Sequence, residues 1–282
     1  MKCYLCGSDD YKLRDGEVRD NKELDICECN NCGLVFLSST NHIDENYYEE
    51  SNMSSDLNIQ EWLNETCIDD SRRFEFLKEM ILNRDIVDFG SGAGGYLLRA
   101  KEVAKSVTGI ELDSKVATHY EENKINITAS IDNLKDSSYD LISAFHVVEH
   151  LSQPREILEQ LITKLKSGGK LIIEVPNSDD ALLGIYKNKA FSKFTYWSPH
   201  LYLFNSKTLN MLLKPLDVRV DFTRYIQRYS LSNHMYWLSH NRPGGHHIWG
   251  NFIDSPELTR AYEAQLASIG ATDTVIMQVT KI

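Results

Sequence analysis

The chain has 282 residues, 42% hydrophobic and 25% charged, with 15 glycines and 6 prolines. That composition is globular and excludes disordered, collagen-like and coiled-coil proteins. Thirty basic against 41 acidic residues leave a net charge of −11, the wrong sign for a general nucleic-acid binder. No apolar run is long enough to span a bilayer, and Met1 to Cys6 hold no apolar signal segment. A cytoplasmic protein with no nucleic-acid partner and no transmembrane segment is therefore expected.

Residues 1–40 form the first unit. Cys3-x-x-Cys6 and Cys29-x-x-Cys32 are two knuckles, each followed by glycine, Gly7 and Gly33. Glycine there frees the backbone to wrap its amides around sulfur. Two such knuckles predict a four-cysteine zinc ribbon, with zinc in a structural role because four thiolates leave no open coordination position. A disulfide pair fits poorly with the absence of a signal segment. Cys27 could replace Cys29 in register, but Cys29 gives the two-residue spacing and the matching glycine. Cys67 reads as a core thiol. The ribbon carries five basic and eight acidic residues, which argues against a grip on RNA or DNA. Residues 41–80 read as a linker with short helices, or a lid, in which Tyr47, Tyr48 and Trp62 are isolated aromatics.

Residues 81–180 read as a nucleoside-binding core. An apolar strand over 85–89 leads into Gly90-Ser91-Gly92-Ala93-Gly94-Gly95, and helical spacing follows over 96–104. A second strand over 106–110 ends in Glu111. Glycines let the backbone approach a ligand, and a carboxylate at the second strand end can accept ribose hydroxyls. The glycines satisfy both G-x-G-x-x-G and G-x-G-x-G. Asp88 favours the second pattern, because a carboxylate suits a cationic amino-acid ligand and repels a pyrophosphate.

In order, four segments resemble a class I S-adenosylmethionine-dependent methyltransferase. They are residues 87–94 (VDFGSGAG), 109–113 (GIELD), 138–150 (SYDLISAFHVVEH) and 165–177 (LKSGGKLIIEVPN). The resemblance implies a doubly wound α/β fold, a seven-stranded Rossmann-like sheet in strand order 3-2-1-4-5-7-6. It implies S-adenosylmethionine contacts from Asp88, Gly90, Ser91, Gly92, Gly94, Glu111 and Leu112. Adenine contacts would come from Ile131 and Asp132, and methionine-end contacts from Phe145 and His146. His146 is also a candidate catalytic group.

Residues 181–282 change character. They carry 11 basic and 6 acidic residues, and five of the nine histidines. This suits an acceptor region for a ligand with anionic parts. Strands over 218–224 and 274–281 predict a closing β-hairpin, with a helical insertion between them. The insertion carries Arg242, His246, His247 and Trp249 around Gly244-Gly245, a candidate substrate loop. Residues 196–205 (YWSPHLYLFN) resemble the active-site segment of zinc-ribbon methyltransferases that act on nucleotide-linked deoxysugars. His200 matches that family's base, with Trp197 and Tyr202 as substrate contacts. Pro199 replaces its glutamate and Trp197 its tyrosine, which disfavours C-methylation. The resemblance implies O-methylation of a sugar hydroxyl in surface-polysaccharide or nucleotide-sugar biosynthesis. Sugar C-methylation, RNA methylation, NAD-linked oxidoreduction and a non-catalytic cofactor-bound regulator are the rival readings.

Overall fold

Three short antiparallel strands follow from the cysteine knuckles: β1 (Tyr11–Leu13), β2 (Ile26–Cys29) and β3 (Val35–Leu37). The structure is a computed structural model that describes residues 1–43 and 58–282. Tyr47 and Tyr48 lie outside the described residues. Where a linker of short helices is expected, one helix runs from Ile59 to Ile81, α1. Asn58 and Glu61 start it with a reciprocal capping box, each side chain accepting the other's amide at 3.0 Å. Cys67 is exposed on this helix, so it is not the core thiol that burial statistics suggest.

The core then alternates as its sequence predicts: β4 (Asp85–Phe89), α2 (Gly95–Ala100), β5 (Ser106–Ile110), α3 (Ala117–Glu122), β6 (Asn126–Thr128), β7 (Tyr139–Phe145), α4 (Pro154–Lys164) and β8 (Leu165–Pro176). Helix α2 ends at Ala100, four residues before the expected limit. Two short helices, α5 (Ala181–Gly184) and α6 (Lys189–Thr195), precede β9 (Tyr202–Leu203) and α7 (Ser206–Leu213). Strands β10 (Val218–Ile226) and β11 (Thr274–Lys281) form the closing hairpin. Between them lies the predicted insertion: α8 (Leu231–His240), α9 (Gly245–Ile248), α10 (Gly250–Ile253) and α11 (Pro256–Ser268).

The large sheet has the order β10-β11-β8-β7-β4-β5-β6. Counted along the chain within this sheet, that is the expected 3-2-1-4-5-7-6 read from the other edge. Its parallel strands are buried on both faces. Ile86, Leu141 and Ile172 pack toward α1 and α2, whereas Val87, Ile142 and Ile173 pack on the opposite side. This is the period-two geometry of strands whose sequence reads as continuous apolar runs.

The ribbon is not a separate bead. Strand β9 pairs with β3, Val35 opposite Leu203 and Phe36 opposite Tyr202, making a four-stranded sheet from both units. One apolar cluster runs from Cys3, Phe36 and Leu37 through Phe204 into Leu158, Leu171 and Val275. Phe36 is 2% exposed within it. Phe36→Ala should therefore cost roughly 3–5 kcal/mol. Denaturant unfolding, followed both by far-ultraviolet dichroism and by thiol accessibility, should show one coincident transition.

Candidate active site

The site grows from the carboxyl ends of the parallel strands, where open α/β sheets bind ligands. After β4 the chain turns through Gly90, Gly92 and Gly94 at φ of 70°, 52° and 76°. A side chain at Gly92 would also meet the Trp62 ring of α1 at 2.7 Å. Helix α1 thus lies against the loop that the sequence marked for a ligand. Ser91 accepts from the Tyr120 hydroxyl at 2.7 Å. Glu111 accepts from the amides of Gly92, Leu112 and Asp113 at 2.7, 2.8 and 3.0 Å. Its carboxylate therefore holds the loop's shape as well as standing at the expected strand end. Leu112 and Asp132 are exposed, while Ile131 is buried in a short turn capped by Ser130.

Asp88 is buried at the end of β4 and accepts from the Ser143 hydroxyl at 2.6 Å. Burial pushes its carboxyl up to about 7, partly countered by the Ser143 hydrogen bond and the Arg73 charge. One oxygen of Asp70 is buried without a hydrogen-bond partner, beside Gly95. Its other oxygen lies 3.5 Å from Arg73. Two carboxylates next to a glycine loop, with one arginine near both, fit a ligand with a positive end and oppose a pyrophosphate.

At the end of β7, Phe145 meets the Tyr96 ring edge-on at 5.3 Å and carries the Arg73 guanidinium 4.6 Å above its ring. His146 follows at φ 55°, a conformation that costs a non-glycine residue free energy and is held by its surroundings. Its amide donates to the Glu174 carbonyl at 2.7 Å. Its Nε2 lies 3.2 Å from the Glu174 carboxylate and 3.3 Å from Arg228, and its Nδ1 lies 3.3 Å from Glu149.

Sequence reasoning missed the charges that meet here. Glu174 is 0% exposed in β8. Arg72 grips both its oxygens at 3.0 and 2.8 Å, and Arg73 donates twice to one of them at 3.1 and 2.8 Å. Burial alone would raise its carboxyl, but Arg73, His146 and Arg72 override this and hold it well below the usual range. Arg228 pairs with Asp69 of α1 through both Nε and Nη2. In the sequence, Asp69-Asp70-Ser71-Arg72-Arg73 reads as a solvated helix face. Only the gap in its apolar periodicity hints otherwise.

His200 arrives from the other side. Glu149, His150 and His200 each bring one ligand-capable atom within 4.8 Å of the others. The His150 and His200 rings are 4.8 Å apart, and Trp197 lies 5.5 Å from His200. Pro199 offers no carboxylate, and the one beside His200 is Glu149, remote in sequence. Burial and the neighbouring His150 push His200 down to about 3, so the ring is neutral. The ribbon clamps this segment. Asp20 accepts from the Ser198 amide and hydroxyl at 2.9 and 2.7 Å, and the Arg19 guanidinium lies 4.6 Å over Trp197. Tyr202 is 6% exposed, with its ring against Tyr4 and Phe204. Its surface is used in the joint between ribbon and core.

The insertion loop packs mainly on its own helix. Arg242 donates to the Tyr236 hydroxyl at 3.1 and 2.8 Å, and Trp249 stands edge-on to Tyr236 at 5.0 Å. His246 stacks on His247 at 3.9 Å and reaches Tyr229, next to Arg228, at 6.2 Å. The loop thus approaches His146 through two intermediaries and does not touch it.

The four knuckle thiols converge. Cys3 and Cys32 sulfurs are 3.5 Å apart, as are those of Cys6 and Cys29, and all four lie within 4.8 Å. Cys27 is buried elsewhere on β2 and stays out of the group.

Asp88 makes stability depend on pH in a defined direction. Its folded value of about 7 lies above the ordinary value of 3.8. The protonated form is favoured by folding, so this contribution is full below the ordinary value and is lost as pH rises through about 7. Asp88→Asn should therefore raise Tm relative to the native chain more at pH ~8.5 than at pH ~5. Scanning calorimetry at both pH values checks it.

Residues 59–221 match the family described as a methyltransferase domain. An S-adenosylmethionine-dependent methyltransferase of Mycolicibacterium smegmatis is 25% identical over 109 residues, 37% of this chain and 42% of that protein. The ubiquinone biosynthesis O-methyltransferase of Hydrogenovibrio crunogenus is 27% identical over 117 residues, 37% of this chain and 48% of that protein. The chain spans about half the length of the curated relatives it matches. A solved S-adenosylmethionine-dependent methyltransferase of Thermotoga maritima shares the fold, with a TM-score of 0.52 at 18% identity over 84% of this chain and 98% of that one. With its strand order, its glycine loop and a match over more than half its length, the chain belongs to the methyltransferase domain family.

Proposed function

We propose that this protein transfers a methyl group from S-adenosylmethionine to a sugar hydroxyl, on a nucleotide-linked or polysaccharide-linked acceptor. The observation that carries the reading is the meeting of His200, His150 and Glu149 beside His146, at the end of the strand that follows the glycine-loop strand in the sheet. A hydroxyl acceptor needs a group that takes or weakens its proton, and this cluster brings imidazole and carboxylate groups together for it.

S-adenosylmethionine supplies a methyl carbon bonded to a sulfonium, so the difficult leaving-group chemistry belongs to the cofactor. The chain binds and aligns. Glu111 offers its carboxylate to the ribose hydroxyls at the end of β5. Asp88 and Asp70 stand at the amino-acid end, where a ligand's ammonium group would draw their carboxyls toward the charged form. Phe145 and His146 line the methionine end, and Ile131 and Asp132 the adenine. Neutral His200, whose Nδ1 is buried with no hydrogen-bond partner, belongs to the cluster that handles the acceptor's hydroxyl, with Trp197 as an apolar wall for the sugar face. Exposed Arg242, His246 and His247, with Trp249, suit the anionic part of the acceptor. The excess of basic residues after residue 180 supports this.

The ribbon's thiols fit a structural zinc. They form an all-sulfur donor set, and no described cysteine is paired in a disulfide. Burial raises the Cys6 thiol, but hydrogen bonds from Asn31, Ser8 and the neighbouring cysteines outweigh it and lower the thiol. Burial prevails at Cys3 and Cys32 and raises theirs, so the fit to a metal stands on the geometry of the four sulfurs. Zinc here would fix β1 and β2, whose connecting loop carries Arg19 and Asp20 to the His200 segment. No helix among the described residues is long and apolar enough to cross a membrane.

Two measurements test the reading. Glu111→Ala should weaken S-adenosylmethionine binding roughly 10–100-fold by calorimetry, the equivalent of one or two charge-assisted hydrogen bonds. His200→Ala should bind the cofactor as the native chain does, yet lower kcat by roughly 10²–10⁴. Transfer of labelled methyl to nucleotide-sugar or polysaccharide fractions supplies the assay. Absence of label in both fractions would count against a sugar acceptor.

A further inference from the structure

Glu149 is an anomaly that methyl transfer alone does not explain. It is 0% exposed, and neither carboxylate oxygen has a hydrogen-bond partner among the described residues. The groups that face it are all imidazoles: His146 Nδ1 at 3.3 Å from one oxygen, His150 and His200. A buried carboxylate is strongly disfavoured unless cationic charge completes it, and His146, at 3.3 Å, is shared with Glu174, which lies 3.2 Å from its other nitrogen. The described arginines nearby are committed elsewhere. Arg72 and Arg73 grip Glu174, Arg228 pairs with Asp69, and Arg19 lies over Trp197.

The two histidines beside Glu149 are arranged as ligands are. The ring Nδ1 of His150 donates to the Pro199 carbonyl at 3.0 Å, which fixes the tautomer and places the lone pair on Nε2. The Nδ1 of His200 is buried and has no hydrogen-bond partner. The segment that carries His200 is held from outside by Asp20 and His42, which bond to Ser198 at 2.7 and 2.8 Å. One ligand-capable atom from each of Glu149, His150 and His200 falls within 4.8 Å of the other two. Two imidazoles and one carboxylate form a donor set that zinc-type ions accept, and three protein ligands leave a coordination position open.

We propose that Glu149, His150 and His200 form a second metal site, distinct from the four thiols, that takes a divalent cation of the zinc type and leaves one position for the acceptor's oxygen. The position of the site stands on geometry alone; its role in transfer rests on the reading given under Proposed function. A cation there lowers the pKa of a bound hydroxyl. In the transfer the O–H bond breaks and its proton passes to water. An oxygen lone pair forms the new O–C bond, and the C–S bond breaks with its electron pair left on sulfur as a thioether.

The test counts metal on the full chain. Protein stripped of metal, reloaded with zinc and dialysed against metal-free buffer should retain two equivalents by elemental analysis. Glu149→Gln and His200→Ala should each retain one. Reloading with cobalt(II) should leave the sulfur-to-cobalt absorption of the thiol site unchanged in both variants. One equivalent in the native chain, which needs no variant to fold, overturns the proposal, and so do two equivalents retained in both variants. S-adenosylmethionine binding is read separately by calorimetry. Cofactor binding and methyl transfer with a single equivalent of metal overturn the metal site and leave the methyltransferase reading standing. Two equivalents with no cofactor affinity uphold the site and overturn that reading.

Discussion

A carboxylate in the middle of a sheet sets the terms for everything around it. Glu174 lies in β8 between β7 and β11, fully buried, and its charge is answered by Arg72, Arg73 and His146. Such a pair adds little net stability compared with an apolar replacement. Its effect is positional. Removing one partner would strand the others, so α1 can dock in one register only. Docking there puts Trp62 on Gly92 and Asp70 beside Gly95. Arg228 then reaches Asp69 from the end of β10, which ties the closing hairpin to the same helix. The shape of the cleft is thus set by paired charges within a frame made of apolar strands.

Which parts of this the sequence discloses follows from the range of the interactions. Strand, turn and helix in the core are local, and residues 85–89 read as β4 from a short apolar stretch, Ile86, Val87 and Phe89, that runs into the glycine turn. The cysteine pairs are legible because metal chemistry imposes their spacing. The pairing of β9 with β3 is not legible. It joins two residues of a short strand to the ribbon across the whole core, and a strand that short has no periodicity to read. Glu149 and Glu174 look like surface charge in a one-dimensional pattern. Their burial is decided by partners on other elements, and no window around them contains those partners. His200 was legible only through resemblance, and its carboxylate neighbour came from a place the motif does not name.

The ribbon takes on a clearer purpose in this light. A small module held by four thiols buries little surface on its own. Here its strands extend into a sheet with β9, and its Asp20 and Arg19 hold Ser198 and Trp197. A histidine on an irregular segment would otherwise sample many positions, and a catalytic group displaced by about 1 Å can lose 10²-fold in rate. The ribbon thus holds the segment that carries His200, and on the proposed function it would act as a supporting shell for that residue.

The same reasoning separates two tasks within the chain. The groups that would hold the cofactor and the acceptor's reacting oxygen stand on β4, β5, β7, β8 and the ribbon-clamped segment, each fixed by buried bonds. The insertion from α8 to α11 leaves Met235, Leu238, Ile248 and Phe252 exposed, and its loop comes near the site where His246 meets the Tyr229 ring. A half-buried carboxylate joins the two regions: Asp273 accepts from the Arg228 and Tyr229 amides and from Gln227, whose side-chain amide also reaches His234 of α8. On the proposed function, a change in the insertion that moves Asp273 would therefore be felt at His146 through Arg228.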